Sequence, residues 1–235
     1  MKISILCPTR NRVEFVKDFL KSCHETAKNP SNIEFVFYVD EDDRMSNIFF
    51  DNYESEFDFD IVYVVGERIV LSEMWNECYS HSSGEIYMHA GDDIRFRTKD
   101  WDEMIINKFK EFDDRIAFVY GRDGYQPKTF GTHGFLHKNW IKAVGYFVPP
   151  YFVSDFNDSW LNEVAKLAGR HFFVDVYTEH LHPIINKHFW DQTHKERKIR
   201  HRQQNPRQLY DQKLPERKGD AEKLKEFIKN FKLEK

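Results

Sequence analysis

A chain of 235 residues, 40% hydrophobic and 31% charged, holds enough apolar material for one sizeable domain with an extension, which excludes both wholesale disorder and two full domains. Its net charge of −4 is uneven: from Asp191 onward there are 14 Lys and Arg against 8 Asp and Glu, leaving 21 against 31 in the first 190 residues. Cys7, Cys23 and Cys78 are too few for a disulfide framework or zinc ribbon, and no apolar run reaches the roughly 20 residues of a membrane span, so a cytoplasmic protein is expected.

In chain order, residues 2–7 (KISILC) read as a buried strand stopped by Pro8. Residues 12–26 read as a helix, with Val13, Val16, Phe19, Leu20 and Cys23 at helical spacing. Strands follow at 33–39, 61–65 and 86–89, separated by a helix at 71–81. A helix at 101–112 and a strand at 116–120 lead into the glycine-rich turns of 121–134. Short helices are expected at 138–144 and 157–168, the latter closed by Gly169, then a strand at 171–176. Beyond Trp190 the apolar pattern weakens, basic residues crowd 195–202, and 220–231 suits an amphipathic helix. The alternation predicts an α/β fold with a mainly parallel central sheet flanked by helices.

Ligands of open α/β sheets bind beyond the carboxyl ends of the strands. Three polar clusters fall there: Pro8-Thr9-Arg10-Asn11-Arg12, Asp40 to Asp43, and Gly91-Asp92-Asp93. Adjacent carboxylates on a turn suit a hard divalent cation that keeps phosphate oxygens in its shell; the competing reading is a solvated turn.

The segments SILCPTRNR, YVDEDD and IYMHAGDDI, followed by SDFNDSWLNEVAKLAGR and TEHLHP, resemble a family 2-type glycosyltransferase with the GT-A fold. The likeness covers residues 1–190, with a nucleotide-sugar half at about 1–95 and an acceptor half at 96–190. Residues 191–235 form a basic, partly helical tail. The resemblance implies that Thr9, Arg10 and Arg12 line the nucleotide pocket and that Asp40, or Asp42 in a slipped register, binds the uracil or ribose. It implies Asp92 on a metal (Mn2+ or Mg2+) and the donor diphosphate, Asp93 beside it, and His182 rather than His180 as a metal ligand. His133 would face the donor. Asp158 would be the general base, with Asp155 its rival. Two positions depart from the family pattern: Ala90 stands where a first aspartate is common, and Asn157 where a glutamate is.

The implied activity is inverting transfer of a sugar from a nucleotide-sugar, a UDP-sugar first, to an acceptor hydroxyl. The acceptor would be a saccharide or a hydroxymethylated base in DNA, the latter allowed by the basic tail. The run Lys195, Arg197, Lys198, Arg200 and Arg202 is either a polyanion contact or a solvated helix face. Tyr125 and Phe130 are loop candidates for acceptor contact, whereas Trp75 and Trp160 lie in helical patterns and read as core. A sugar nucleotidyltransferase would need a glycine-rich phosphate loop after the first strand, and residues 8–12 contain no glycine. A non-catalytic nucleotide-sugar-binding module is the other alternative, for which Ala90 is the argument.

Overall fold

The computed structural model describes residues 1–53, 57–185 and 189–233. Eight strands form one sheet: β1 (Ile3–Thr9), β2 (Ile33–Asp40), β3 (Asp60–Gly66), β4 (Ile86–His89), β5 (Ile94–Phe96), β6 (Phe118–Arg122), β7 (Gly134–His137) and β8 (His171–His180). Their order is β3-β2-β1-β4-β7-β6-β8-β5. The pairs β1–β2, β2–β3, β1–β4 and β6–β8 are parallel, while β7 runs antiparallel to both β4 and β6, and β5 to β8.

Both faces of the central strands are covered, which is why β2 is buried at every position despite strict alternation. Ile5, Cys7, Phe35 and Phe37 point to one core with α1 (Val13–Thr26), α2 (Arg44–Asp51) and α4 (Trp101–Lys110). Leu6, Val36 and Tyr38, one residue out of phase, point to the other. That second core is closed by α3 (Leu71–Ser80), α5 (Lys138–Val144) and α6 (Asn157–Leu167). Trp75 and Trp160 are buried there, as expected from their helical spacing.

Two strands outrun their expected ends. β1 continues through Pro8 to Thr9. The carbonyl of Leu6 accepts from Ala90 N (3.0 Å) on the β4 side, so Pro8, two residues on, faces the same edge just past the last residue of β4. Its missing N–H therefore breaks no ladder bond. β8 runs on to His180 because its last residues pair with β5, Phe96 opposite Thr178 and Ile94 opposite His180. β5 is three residues long and carries Arg95 between its apolar neighbours, too short for periodicity to reveal.

The C-terminal segment forms α7 (Gln192–Gln204), α8 (Pro206–Gln212) and α9 (Leu214–Leu233). α9 is longer than the sequence suggests, because Pro215 lies in its first turn, where its missing N–H costs nothing. Ala221 and Leu224 bury one face of α9 against α5 and α6, and Asp220 accepts hydrogen bonds from Tyr146 Oη and from Trp160 Nε1 (3.3 Å).

Gly121 lies where β6 and β8 shift register, and a Cβ there would stand 2.1 Å from the Val176 carbonyl oxygen. Because the obstacle is backbone, Gly121→Ala is expected to destabilise the fold by about 1–3 kcal/mol. An unchanged urea midpoint would show that the two strands can part without cost.

Candidate active site

Parallel β1, β2 and β4 present their carboxyl ends at one edge of the sheet. The antiparallel β7 brings its start to that edge, and β6 and β8, parallel to each other, bring their ends. Thr9, Asp40, Asp92, Asp93, Asp123, His133 and His180 consequently converge there from six segments of chain. A cavity of about 340 Å3 lies over this edge. It is lined by Thr9, Arg10, Arg12 and Asp40, by Asp92, Asp93, His133 and His182, and by Asp155 and Asp158 from the loop leading into α6. Of the residues expected to form the site, Asp42 and Phe130 stay outside this cavity. The Asp42 side chain is 56% exposed and grips Arg10 from the solvent side.

Asp40 ends β2 with its carboxylate in the cavity wall. One oxygen accepts from Arg10 Nη1 (2.9 Å), while the other, Oδ1, is buried and has no hydrogen-bond partner. Burial holds this carboxyl above its ordinary pKa against the pull of Arg10. A buried acceptor without a donor is costly to leave unmade, and because Oδ1 is closed to solvent, a ligand N–H or O–H would reach it only after a neighbouring side chain moves.

Beneath the cavity lies a network of buried charges. Arg12, immediately before α1, donates from Nη1 to Asp92 Oδ1 (2.8 Å) and from Nε to Asp191 Oδ2 (2.8 Å), with Asp93 Oδ2 at 3.8 Å. Thr9 Oγ1 donates to the other Asp92 oxygen (2.8 Å). Burial opposes the charge on Arg12, yet the three carboxylates outweigh it and hold the guanidinium more firmly protonated than usual. Asp92 is pushed up by burial and by its neighbour Asp93, against Arg12 and Thr9. Gly91 precedes this pair for a steric reason: a Cβ there would come within 2.7 Å of Asp93 Oδ1.

His180 stands between Asp93 Oδ1 (3.6 Å) and Asp123 Oδ2 (3.7 Å). Burial disfavours its charge, but the two carboxylates prevail and raise its pKa to about 9. The imidazolium in turn holds Asp93 ionised despite burial. His182 is pushed down to about 4 by burial and by the charge on His180, so it is a neutral imidazole stacked on Tyr125 with ring centroids 4.7 Å apart. His133 is also neutral, lowered to about 3 chiefly by burial, and both of its ring nitrogens are buried without a hydrogen-bond partner.

The chain enters α6 through Phe156, whose φ of 77° turns the backbone sharply and brings Asp158 to the cavity in the first helical turn. Asp158 accepts from Ser159 N (2.7 Å). Burial, aided by the charge of Asp155, raises its pKa to about 6 against that bond. Asp155 behaves oppositely. Arg197 Nε donates to it (2.8 Å) and His201 pairs with its other oxygen, and these outweigh burial to hold it below the ordinary carboxylate range. Neighbouring carboxyls with divergent pKa values suit divergent roles. Asn157 is buried, and its Oδ1 accepts from Ser72 Oγ (2.9 Å), tying α6 to α3. Ala90 is fully buried in the apolar core, and its carbonyl accepts from Trp75 Nε1 (3.2 Å).

Sequence reasoning offered Arg197 and Arg200 as a polyanion contact or a solvated helix face but did not foresee that α7 walls the cavity, where Thr193 and His194 line it beside them. The signal was present: His194, Arg197 and Arg200 recur every three residues along the helix, while Lys195, Lys198 and Arg202 are the exposed cations between them. Asp123 was missed too. It organises the loop to β7 by accepting from Tyr125 N (2.8 Å), Gln126 N (2.7 Å) and Thr132 Oγ1 (2.6 Å).

The expected metal ligands differ in fitness. Asp92 has both oxygens engaged by Thr9 and Arg12. Among the described residues Asp93 has the longer ion pairs to His180 and Arg12, and it lines the cavity. His182 Nδ1 accepts from Ile184 N (3.2 Å), so ligation through Nε2 requires the other tautomer. Among the described residues no group of three or more His, Cys, Asp and Glu is gathered to hold a metal. The arrangement fits a cation that takes most of its ligands from phosphate oxygens.

No protein-family model matches the chain, and no curated protein sequence does. Among solved structures it is similar to TarS 1–349 from S. aureus, at 13% identity over 76% of this chain and 60% of that one (TM-score 0.60). The same protein in complex with UDP matches at 14% identity over 75% and 60% (TM-score 0.60). The mannosyltransferase PcManGT from Pyrobaculum calidifontis, in complex with GDP-Man and Mn2+, matches at 15% over 96% of this chain and 69% of that one (TM-score 0.63). The chain spans about 60% of the length of the TarS fragment. Likeness at these identities speaks to architecture, and with the sheet order and flanking helices it establishes that this chain has the GT-A glycosyltransferase fold.

Proposed function

We propose that the protein transfers a sugar from a nucleotide-sugar, a UDP-sugar first, to an acceptor hydroxyl with inversion at the anomeric carbon. The observation that carries this reading is one cavity lined both by Asp40, whose Oδ1 has no hydrogen-bond partner among the described residues, and by Asp158, a carboxyl raised to about 6. UDP in a TarS complex and GDP-Man in a PcManGT complex support the donor class.

In this reading Asp40 Oδ1 accepts the N3–H of uracil, and Arg10, fixed by Asp40 and Asp42, flanks the base. Arg197 and Arg200 from α7 lie along the cavity wall and offset the charge of the diphosphate. A divalent cation, held by Asp93 and by His182 in its other tautomer, would supply further neutralisation of the leaving group. Asp158 takes the acceptor proton as the hydroxyl oxygen bonds to the anomeric carbon. The bond from that carbon to the diphosphate breaks, and its electron pair leaves with UDP. Asp155, ion-paired with Arg197 and His201, positions α7 against the base.

Titration with UDP tests the donor half. Asp40→Ala is expected to weaken UDP about 10–100-fold, the value of a hydrogen bond to a charged group. Asp42→Asn, at an exposed ion pair, is expected to change affinity far less. Equal losses in both variants would place the nucleobase elsewhere.

A further inference from the structure

A second cavity, of about 400 Å3, adjoins the first at Asp158; the two share Gln126, Asp155, Phe156, Asp158, His194 and Arg197. A group bound there would stand beside Asp158, where an attacking hydroxyl must lie. Its walls are aromatic and cationic. Phe130, Phe156 and Trp190 supply rings, and Lys198 Nζ lies over the Trp190 ring, 5.4 Å from its centroid. Trp190 is 47% exposed, an unusual cost for an indole unless something covers it.

Arg197 and His201 are engaged by Asp155. Lys198 has no carboxylate partner among the described residues, and its Nζ lies over the Trp190 ring instead. Asp158, ionised when it acts as base, faces the attacking hydroxyl, so Lys198 is the cation of this cavity left for an anionic group of a ligand.

We propose that this cavity is the acceptor subsite and that the acceptor is an anionic saccharide, one ring face against Trp190 and a phosphate or carboxylate on Lys198. The inference rests on Asp158 being the base of glycosyl transfer. Sugar rings carry an apolar C–H face that packs on an indole, and a charge-assisted hydrogen bond to Lys198 selects the anion. A DNA duplex is disfavoured, since it needs many phosphate contacts. Lys195, Lys198 and Arg202 are the exposed cations of α7, and the body they stand on is acidic, 21 basic against 31 acidic residues.

The test is titration of the full chain, saturated with UDP, by glucose, glucose 6-phosphate, glucuronate and a DNA oligonucleotide. One of the charged sugars is expected to bind about 10–100-fold more tightly than glucose, and which one does so separates phosphate from carboxylate. Lys198→Gln should erase that preference with UDP affinity unchanged, and Trp190→Ala should weaken all three sugars. Equal binding of charged and neutral sugars, a preference that survives Lys198→Gln, binding of the oligonucleotide alone, or binding of no sugar overturns the proposal. If UDP binds and Asp158→Asn still abolishes transfer, such a result removes only the acceptor assignment. If UDP itself does not bind, the transferase reading fails first.

Discussion

Asp158→Asn is expected to slow sugar transfer about 10²–10⁴-fold, the usual contribution of a positioned general base, while UDP affinity is unchanged. The amide keeps the size of the carboxylate and an oxygen to accept from Ser159 N, and loses only its ability to take a proton. Since the pKa of Asp158 is raised to about 6, the wild-type rate should climb with pH through that value and level off above it, as the carboxyl loses its proton. The same shift has a stability consequence. A carboxyl whose folded pKa exceeds its unfolded value binds its proton more tightly in the native state, so folding stability falls as pH rises from about 4 through about 6. At pH 7 the Asn variant should accordingly be more stable, on the order of 2 kcal/mol after allowance for partial exposure. An inactive but more stable variant is the signature of a carboxylate kept for chemistry. Wild-type turnover by Asp158→Asn would remove the assignment.

Arg12→Ala is expected to be the most damaging single truncation for stability, at about 3–5 kcal/mol, because it leaves the buried Asp92 without its counter-charge, while Asp93 keeps His180. Asp92 and Asp93 are 3% and 8% exposed, so water cannot replace the guanidinium. The deficit should be larger at pH 8 than at pH 5, since protonation of Asp92, already pushed up by burial, relieves the uncompensated charge. The variant should also loosen α7, because Arg12 Nε and Nη2 hold Asp191 and His194 at its start. Faster amide exchange over residues 192–204 together with a lowered urea midpoint would report both effects. A midpoint equal to wild type at pH 8 would show that the network contributes nothing to the fold.

The site was largely legible before its geometry was known. Thr9, Arg10, Asp40, Asp92 and Asp158 each end a strand or open a helix in a pattern of alternating periodicities, and all five line the cavity. Asp40 and Asp42 could not be separated by type or spacing. The separation comes from the ladder, since β2 stays paired with β3 through Asp40, whereas Asp42 is already in the exposed turn. Asp158 was preferred over its rival Asp155 through the resemblance alone. Only the docking of α7, which pairs Arg197 and His201 with Asp155, makes one a fixed anion and leaves the other near neutrality.

Local chemistry in the chain determined its strands, its helices and the order of its polar strand ends, because periodicity and turn residues act over a few residues. Which of those polar groups face one another depended on contacts between distant segments. Arg12 meets Asp191, 179 positions away, and His180 meets Asp93 only because three residues of β5 extend β8. Burial and the resulting charge states belong to the assembled molecule, since the desolvation that raises Asp158 and the imidazolium that holds Asp93 ionised exist only once the cavity has closed around them.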